Sequence, residues 1–264
     1  IKPDLAEAHN NLGNALRDLG KLEEAVASFR KALDLKPDYA DPHYNLGNVL
    51  QKLGKLDDAL ASHQKALDIR PDYAEAHFNV GNLFQELGKL DDATNSYRRA
   101  LAIKPDFVEA HNNLGGTLQG VGKLEEAASS FREALTIQPG YTEAHNNLGV
   151  ALHDLGKLED AVASCQKALD LKPDYAEAHY NLGNALWGLG KLEETVASYQ
   201  KAIDIKPDYA EAHNNLGDML RGLGKLDEAN ASCRKAISLK SDFSEAHTNL
   251  GNVLRDLGKL QDAV

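Results

Sequence analysis

Apolar residues near the start of the chain fall at Ala8, Leu12, Ala15, Leu16 and Leu19, the three- and four-residue spacing of one helix face. The spacing breaks at Gly20 and resumes with Leu22, Ala25, Val26, Phe29, Ala32 and Leu33. The pattern predicts two amphipathic helices, A and B. Gly20 supplies a left-handed stop for helix A. Glu23 and Glu24 sit where helix B opens and favour its positive dipole end. Lys31 and Lys36 complement its other end, and Pro37 terminates it. Asp38, Asp72, Asp106, Asp174, Asp208 and Asp242 each precede by three residues the acid near the start of the next helix A. That spacing reads as an acidic capping box.

The whole pattern recurs with a step of 34 residues. Pro3, Pro37, Pro71, Pro105, Pro139, Pro173 and Pro207 keep the step, as do a histidine column from His9 to His247 and glycine columns from Gly13 to Gly251 and Gly20 to Gly258. Seven complete units run 6–39, 40–73, 74–107, 108–141, 142–175, 176–209 and 210–243. Residues 1–5 form the end of a preceding unit, and 244–264 a truncated eighth. Repeat positions are counted from 1, so Ala6 is position 1 of the first unit. A helix pair of this size cannot bury its apolar faces alone. It must stack on its neighbours, so the expected fold is an all-α solenoid, a single array over 1–264.

Composition removes several function classes. The chain carries 42% hydrophobic residues and a net charge of −11, too apolar for a disordered chain and too acidic for a nucleic-acid backbone as main partner. No apolar run approaches the ~18 residues of a membrane span, and no basic, apolar leader opens the chain. The histidines lie one per unit, roughly 10 Å apart at helix-packing distance, whereas zinc needs its ligands about 2 Å from one ion. We therefore expect no metal and no cofactor, and read the histidines as polar-tipped packing residues. Cys165 and Cys233 share position 24 two units apart, roughly 20 Å by the same spacing against a disulfide limit of ~7 Å. Free, buried thiols suit a reducing, cytoplasmic compartment. No nucleophile–base pair, phosphate loop or other catalytic constellation is legible, so no enzyme activity is expected.

The residues Leu12, Gly13, Ala25, Phe29, Ala32 and Pro37, with their equivalents at every step of 34, make the chain resemble the tetratricopeptide repeat (TPR) family over its whole length. Two columns depart from the family pattern. Position 4 is His in place of the usual Trp, and position 24 holds Phe29, His63, Tyr97, Phe131, Cys165, Tyr199 and Cys233. The resemblance implies a right-handed superhelix of antiparallel helix pairs. Helix A then lines a concave groove that holds an extended peptide.

Comparing the units with one another locates candidate ligand contacts. Position 6 is Asn in all eight units: Asn11, Asn45, Asn79, Asn113, Asn147, Asn181, Asn215 and Asn249. Asn is a poor residue for a helix interior, so each costs roughly half a kcal/mol relative to Ala. Its amide can both donate to and accept from a peptide backbone. The column is similar to the asparagine ladder of the O-linked N-acetylglucosamine transferase superhelix. The alternative, left open here, is an Asn bonded to its own scaffold between units. Affinity from such a ladder carries no sequence choice, which must come from variable groove positions. There Tyr44, Phe78, Tyr180 and Trp187 are the candidate aromatic anchors. Carboxylates at position 2 border the groove and favour a neutral or basic ligand.

The expected function is therefore a protein–protein interaction scaffold with no nucleic-acid or membrane partner. The alternative is a substrate-recruiting arm of a larger enzyme such as a glycosyltransferase, suggested by a chain that begins and ends within repeats. Uncapped apolar faces at the two ends would allow head-to-tail stacking of copies.

Overall fold

The computed structural model describes residues 5–259. Among them are fifteen α-helices and no strand. The chain divides into two compact units, residues 1–137 and 138–264. In the first, the A helices α1 (Leu5–Asp18), α3 (Ala40–Lys52), α5 (Ala74–Glu86) and α7 (Val108–Gly120) alternate with the B helices α2 (Leu22–Leu35), α4 (Leu56–Ile69), α6 (Leu90–Ile103) and α8 (Leu124–Ile137). In the second, the A helices are α9 (Thr142–Asp154), α11 (Ala176–Gly188), α13 (Ala210–Gly222) and α15 (Ser244–Asp256). Their B helices are α10 (Leu158–Leu171), α12 (Leu192–Ile205) and α14 (Leu226–Leu239).

Within each unit every A helix from α1 to α13 packs on the B helix that follows, and each B helix that is followed by an A helix of the same unit packs on it. Successive A helices also touch: α1 with α3, α3 with α5 and α5 with α7 in the first unit, and α9 with α11 and α13 with α15 in the second. No two successive B helices share comparable contact. Within each unit the A helices are therefore crowded on the inner side and the B helices splayed on the outer.

The seam within each pair is built from position 24 against the glycine of position 8. Position 24 is fully buried whatever its chemistry, from Phe29 and Tyr97 to His63, Cys165 and Cys233. A Cβ added at Gly13 would lie 2.5 Å from the Phe29 ring; at Gly81, 2.6 Å from the Tyr97 ring; at Gly149, 2.5 Å from the Cys165 sulfur. This close approach is why a costly helical glycine recurs at position 8.

The tight A-to-B turns follow the expected stop. Gly20 has φ of 75°, and Lys21 N–H donates to the Leu16 carbonyl at 2.8 Å, the long bond of a Schellman end. The B-to-A loops correct the sequence expectation. The residue that precedes helix A is the aromatic of position 34, such as Tyr39, Tyr73 or Phe107, not the Asp before it, and it makes no side-chain capping bond. The reason is a turn around the proline: Tyr73 N–H donates back to the Arg70 carbonyl at 3.2 Å, which leaves Asp72 one residue too early to cap.

The histidine column ties this loop down. His43 Nε2 lies 3.0 Å from the Pro37 carbonyl oxygen and His77 Nε2 3.0 Å from that of Pro71; the same bond is made by His111, His145, His179 and His213. Among the described residues no group of His, Cys, Asp or Glu is placed to hold a metal ion.

Candidate functional site on the A helices

The asparagine ladder is engaged between repeats. Asn45 Nδ2 donates to Asn10 Oδ1 at 3.0 Å, Asn181 to Asn146 at 2.9 Å and Asn249 to Asn214 at 2.9 Å, each reaching position 5 of the preceding repeat. Where position 5 is aromatic the acceptor changes. Asn79 donates to the Tyr44 hydroxyl at 3.2 Å and to Asn48 Oδ1 at 2.7 Å. Asn113 donates to Asn82 Oδ1 at 3.0 Å, and Asn215 reaches both the Tyr180 hydroxyl and Asn184. The position 9 asparagines serve the core as well. Tyr97 donates its buried hydroxyl to Asn82 Oδ1 at 2.7 Å, and Tyr199 does so to Asn184 at 2.8 Å. Burial holds both phenols well above their ordinary pKa.

The ladder is thus a row of inter-repeat staples, and one amide donor of each of these six residues is already committed. In Asn45, Asn79, Asn181 and Asn249 the side-chain carbonyl accepts no hydrogen bond from the described residues. Asn11 is exposed, and Asn147 accepts from Asn146 at 3.4 Å.

Two hollows open on this side. One of about 370 Å³ is lined by Arg17, Asn48, Gln51, Lys52 and Asn79, and one of about 310 Å³ by Asn214, Ser244, Glu245, Thr248 and Asn249. Hollows also recur on the outer side between successive B helices. One of about 350 Å³ has Leu67, Pro71, Val80 and Phe84 among its lining residues, and one of about 300 Å³ has Leu169, Pro173 and Leu182.

The four candidate aromatics separate. Tyr44, Phe78 and Tyr180 are half-buried in ring clusters with positions 24 and 34 of their own repeat. Tyr44 stands 4.7 Å from Tyr73 and 5.5 Å from His63; Phe78 4.8 Å from Phe107; Tyr180 4.9 Å from Tyr209. They act mainly as core, and Tyr44 and Tyr180 also accept from the ladder. Trp187, by contrast, is 54% exposed on α11. It is the chain's single tryptophan, and Gly222, 35 residues on in the next repeat, has nothing within 4 Å of its Cβ site.

The position 2 carboxylates are less available than the sequence suggests. Arg70 pairs with Asp41 at 3.0 Å, and Lys104 with Glu75 and Lys206 with Glu177, both at 3.3 Å. The same cations stand over the rings of Tyr73, Phe107 and Tyr209. A basic ligand would compete with partners already in place.

Two features escape the sequence reading. His63 is fully buried, and neither ring nitrogen has a hydrogen-bond partner; burial holds its pKa down to about 4. A polar residue in an otherwise core column was its signal. The second is the pairing of position 12 with position 13 of the next repeat, taken up below. Cys165 and Cys233 are free and buried, and desolvation pushes their thiols up to about 12 and about 11. Both are thus poor nucleophiles.

No helix among the described residues is long and apolar enough to cross a membrane. Models described as TPR repeat match residues 13–54, 121–156, 151–190 and 188–220, and models described as tetratricopeptide repeat match 38–106 and 210–243. None of the curated proteins matches the chain. Among solved structures, YrrB, described as a TPR protein with an unusual peptide-binding site, is 27% identical. It aligns over 70% of this chain and 95% of its own with a TM-score of 0.62. MamA is 22% identical over 65% of this chain and 94% of its own, with a TM-score of 0.60. A chain of the Cut9–Hcn1 assembly is 17% identical over 92% of this chain and 48% of its own, with a TM-score of 0.73; these last two likenesses concern the fold. On its 34-residue period, its helix pairs and these matches, the chain belongs to the tetratricopeptide repeat family and is an all-α solenoid of the kind that serves protein–protein interaction.

Proposed function

We propose that the chain binds an extended protein segment along the inner side of its A helices, with the asparagine ladder contacting the segment's backbone. The observation that carries this is the placement of unused acceptors. The carbonyls of Asn79 and Asn249 belong to residues that line the two inner hollows, and their amide donors, held by the preceding repeat, fix their orientation. A preorganised acceptor loses little entropy when it meets a peptide N–H. The peptide-binding description of the similar YrrB agrees with this class of ligand. Trp187 is the proposed side-chain anchor in the second unit.

The test separates the two jobs of the ladder. Asn45, Asn79 and Asn181 are changed to Ala singly and together, and a fluorescein-labelled random peptide pool is scored by anisotropy beside a urea melt. Binding that weakens across all sequences, in variants still folded at the assay temperature, supports the reading. Folded variants that keep full affinity reject it and leave the ladder as scaffold alone.

A further inference from the structure

On the inner side, position 12 of one repeat meets position 13 of the next, 35 residues later. Two of these rungs are closed by the chain itself. Gln51 Nε2 donates to Glu86 Oε2 at 3.2 Å, and Arg221 Nη1 donates to Asp256 Oδ2 at 3.3 Å. In three others Gly120, Gly188 and Gly222 occupy position 13 and remove the partner. The rung between the first and second repeats is of a third kind: the same register sets Arg17 against Lys52. Two cations stand where the closed rungs hold a hydrogen-bonded pair and an ion pair.

The surroundings do not neutralise this rung fully. Arg17 is held by Asp18 on its own helix at 3.0 Å, and Asp18 is largely exposed. Glu86, from the third repeat, already accepts from Gln51. Lys52 makes no ion pair among the described residues. The inner hollow of about 370 Å³ opens at this rung, and its lining of Arg17, Asn48, Gln51, Lys52 and Asn79 contains no carboxylate, in a chain whose net charge is −11.

We propose that the Arg17–Lys52 rung is a subsite for one carboxylate side chain, Asp or Glu, of the segment bound along the A helices; this rests on the reading given above. With Nε and Nη2 of Arg17 on Asp18, its Nη1 still offers donors to a carboxylate and the Lys52 ammonium offers another, which completes the open rung with an anion from outside. The bound segment is therefore acidic at the point where it crosses the first repeat boundary. One fixed acidic residue sets the register of a ligand whose backbone contacts alone would let it slide.

The experiment has two arms. In the first, sodium acetate is titrated at constant ionic strength while the side-chain NMR signals of Arg17 and Lys52 are followed; saturable shifts in both support the subsite independently of any peptide. In the second, labelled decapeptides carrying a single Asp, or Asn at the same place, are compared on the parent, Lys52→Gln and Lys52→Glu. The best Asp peptide binds the parent about three- to fivefold more tightly than its Asn twin, and this ratio falls to about one in both variants. Peptides that bind all three proteins with an unchanged ratio overturn the subsite and leave the peptide reading standing. Acetate shifts without any peptide binding overturn the peptide reading and leave a carboxylate site. Absence of both overturns both.

Discussion

The side-chain amide of Asn79 reaches across a repeat boundary to the carbonyl of Asn48, 2.7 Å away. A residue that costs helix stability is kept at position 6 because it hydrogen-bonds the preceding repeat, in a setting only half exposed to water. Hydrogen bonds of this sort are worth about 0.5–1.5 kcal/mol each. Asn79→Ala should lower unfolding free energy by about 1 kcal/mol beyond its gain in helix propensity. Asn48→Ala should lose part of the same energy. A double-mutant cycle in urea checks the pair: a coupling near zero would show that the bond adds nothing.

Two glycines in the middle of A helices, at repeat positions 8 and 9, have opposite roles here. Gly81 lies so close to the Tyr97 ring that an added methyl would sit 2.6 Å from it, whereas Gly116, on the neighbouring repeat's A helix, has nothing within 4 Å. Gly81→Ala should destabilise by more than ~2 kcal/mol through overpacking. Gly116→Ala should stabilise by up to about 1 kcal/mol through helix propensity. Thermal melts of the two single variants compare them directly.

His63 gives stability a pH dependence of defined sign. Burial lowers its folded pKa from 6.5 to about 4 while the unfolded chain keeps the ordinary value. The unfolded state therefore binds the extra proton first as pH falls, so stability drops between about 6.5 and about 4 and levels off below. The loss is on the order of 3 kcal/mol. His63→Phe, which installs the side chain found at Phe29 and Phe131, should flatten this part of the curve. Urea unfolding from pH 7 to pH 4 measures it. His213, also lowered by burial, leaves a smaller slope in the variant.

Periodicity made most of the architecture legible. The break at Gly20 and the acids Glu23 and Glu24 point to a second helix, which starts at Leu22, and the Gly20 stop and the tight Gly13 contact follow from what glycine alone can do. The Asp38 column satisfies a local capping rule, yet Tyr39 precedes helix A, because the proline turn and the His43 bond to Pro37 act over six residues. The site was harder to read. Asn79 and Tyr44 both look like groove residues from spacing, yet the tyrosine hydroxyl accepts the asparagine's proton and its ring packs against Tyr73. A one-dimensional pattern shows which face a residue occupies. It does not show that the neighbour 35 positions away has already taken its hydrogen bond.

Trp187 makes the central claim measurable without a label, since it is the only tryptophan and stands 54% exposed on an A helix. Its emission and acrylamide quenching are followed as a peptide that binds the chain is titrated in. If the segment lies along the A helices, the emission shifts to the blue and quenching falls with the same midpoint as binding. A peptide that saturates the chain while both signals stay unchanged would place the ligand elsewhere and contradict the account.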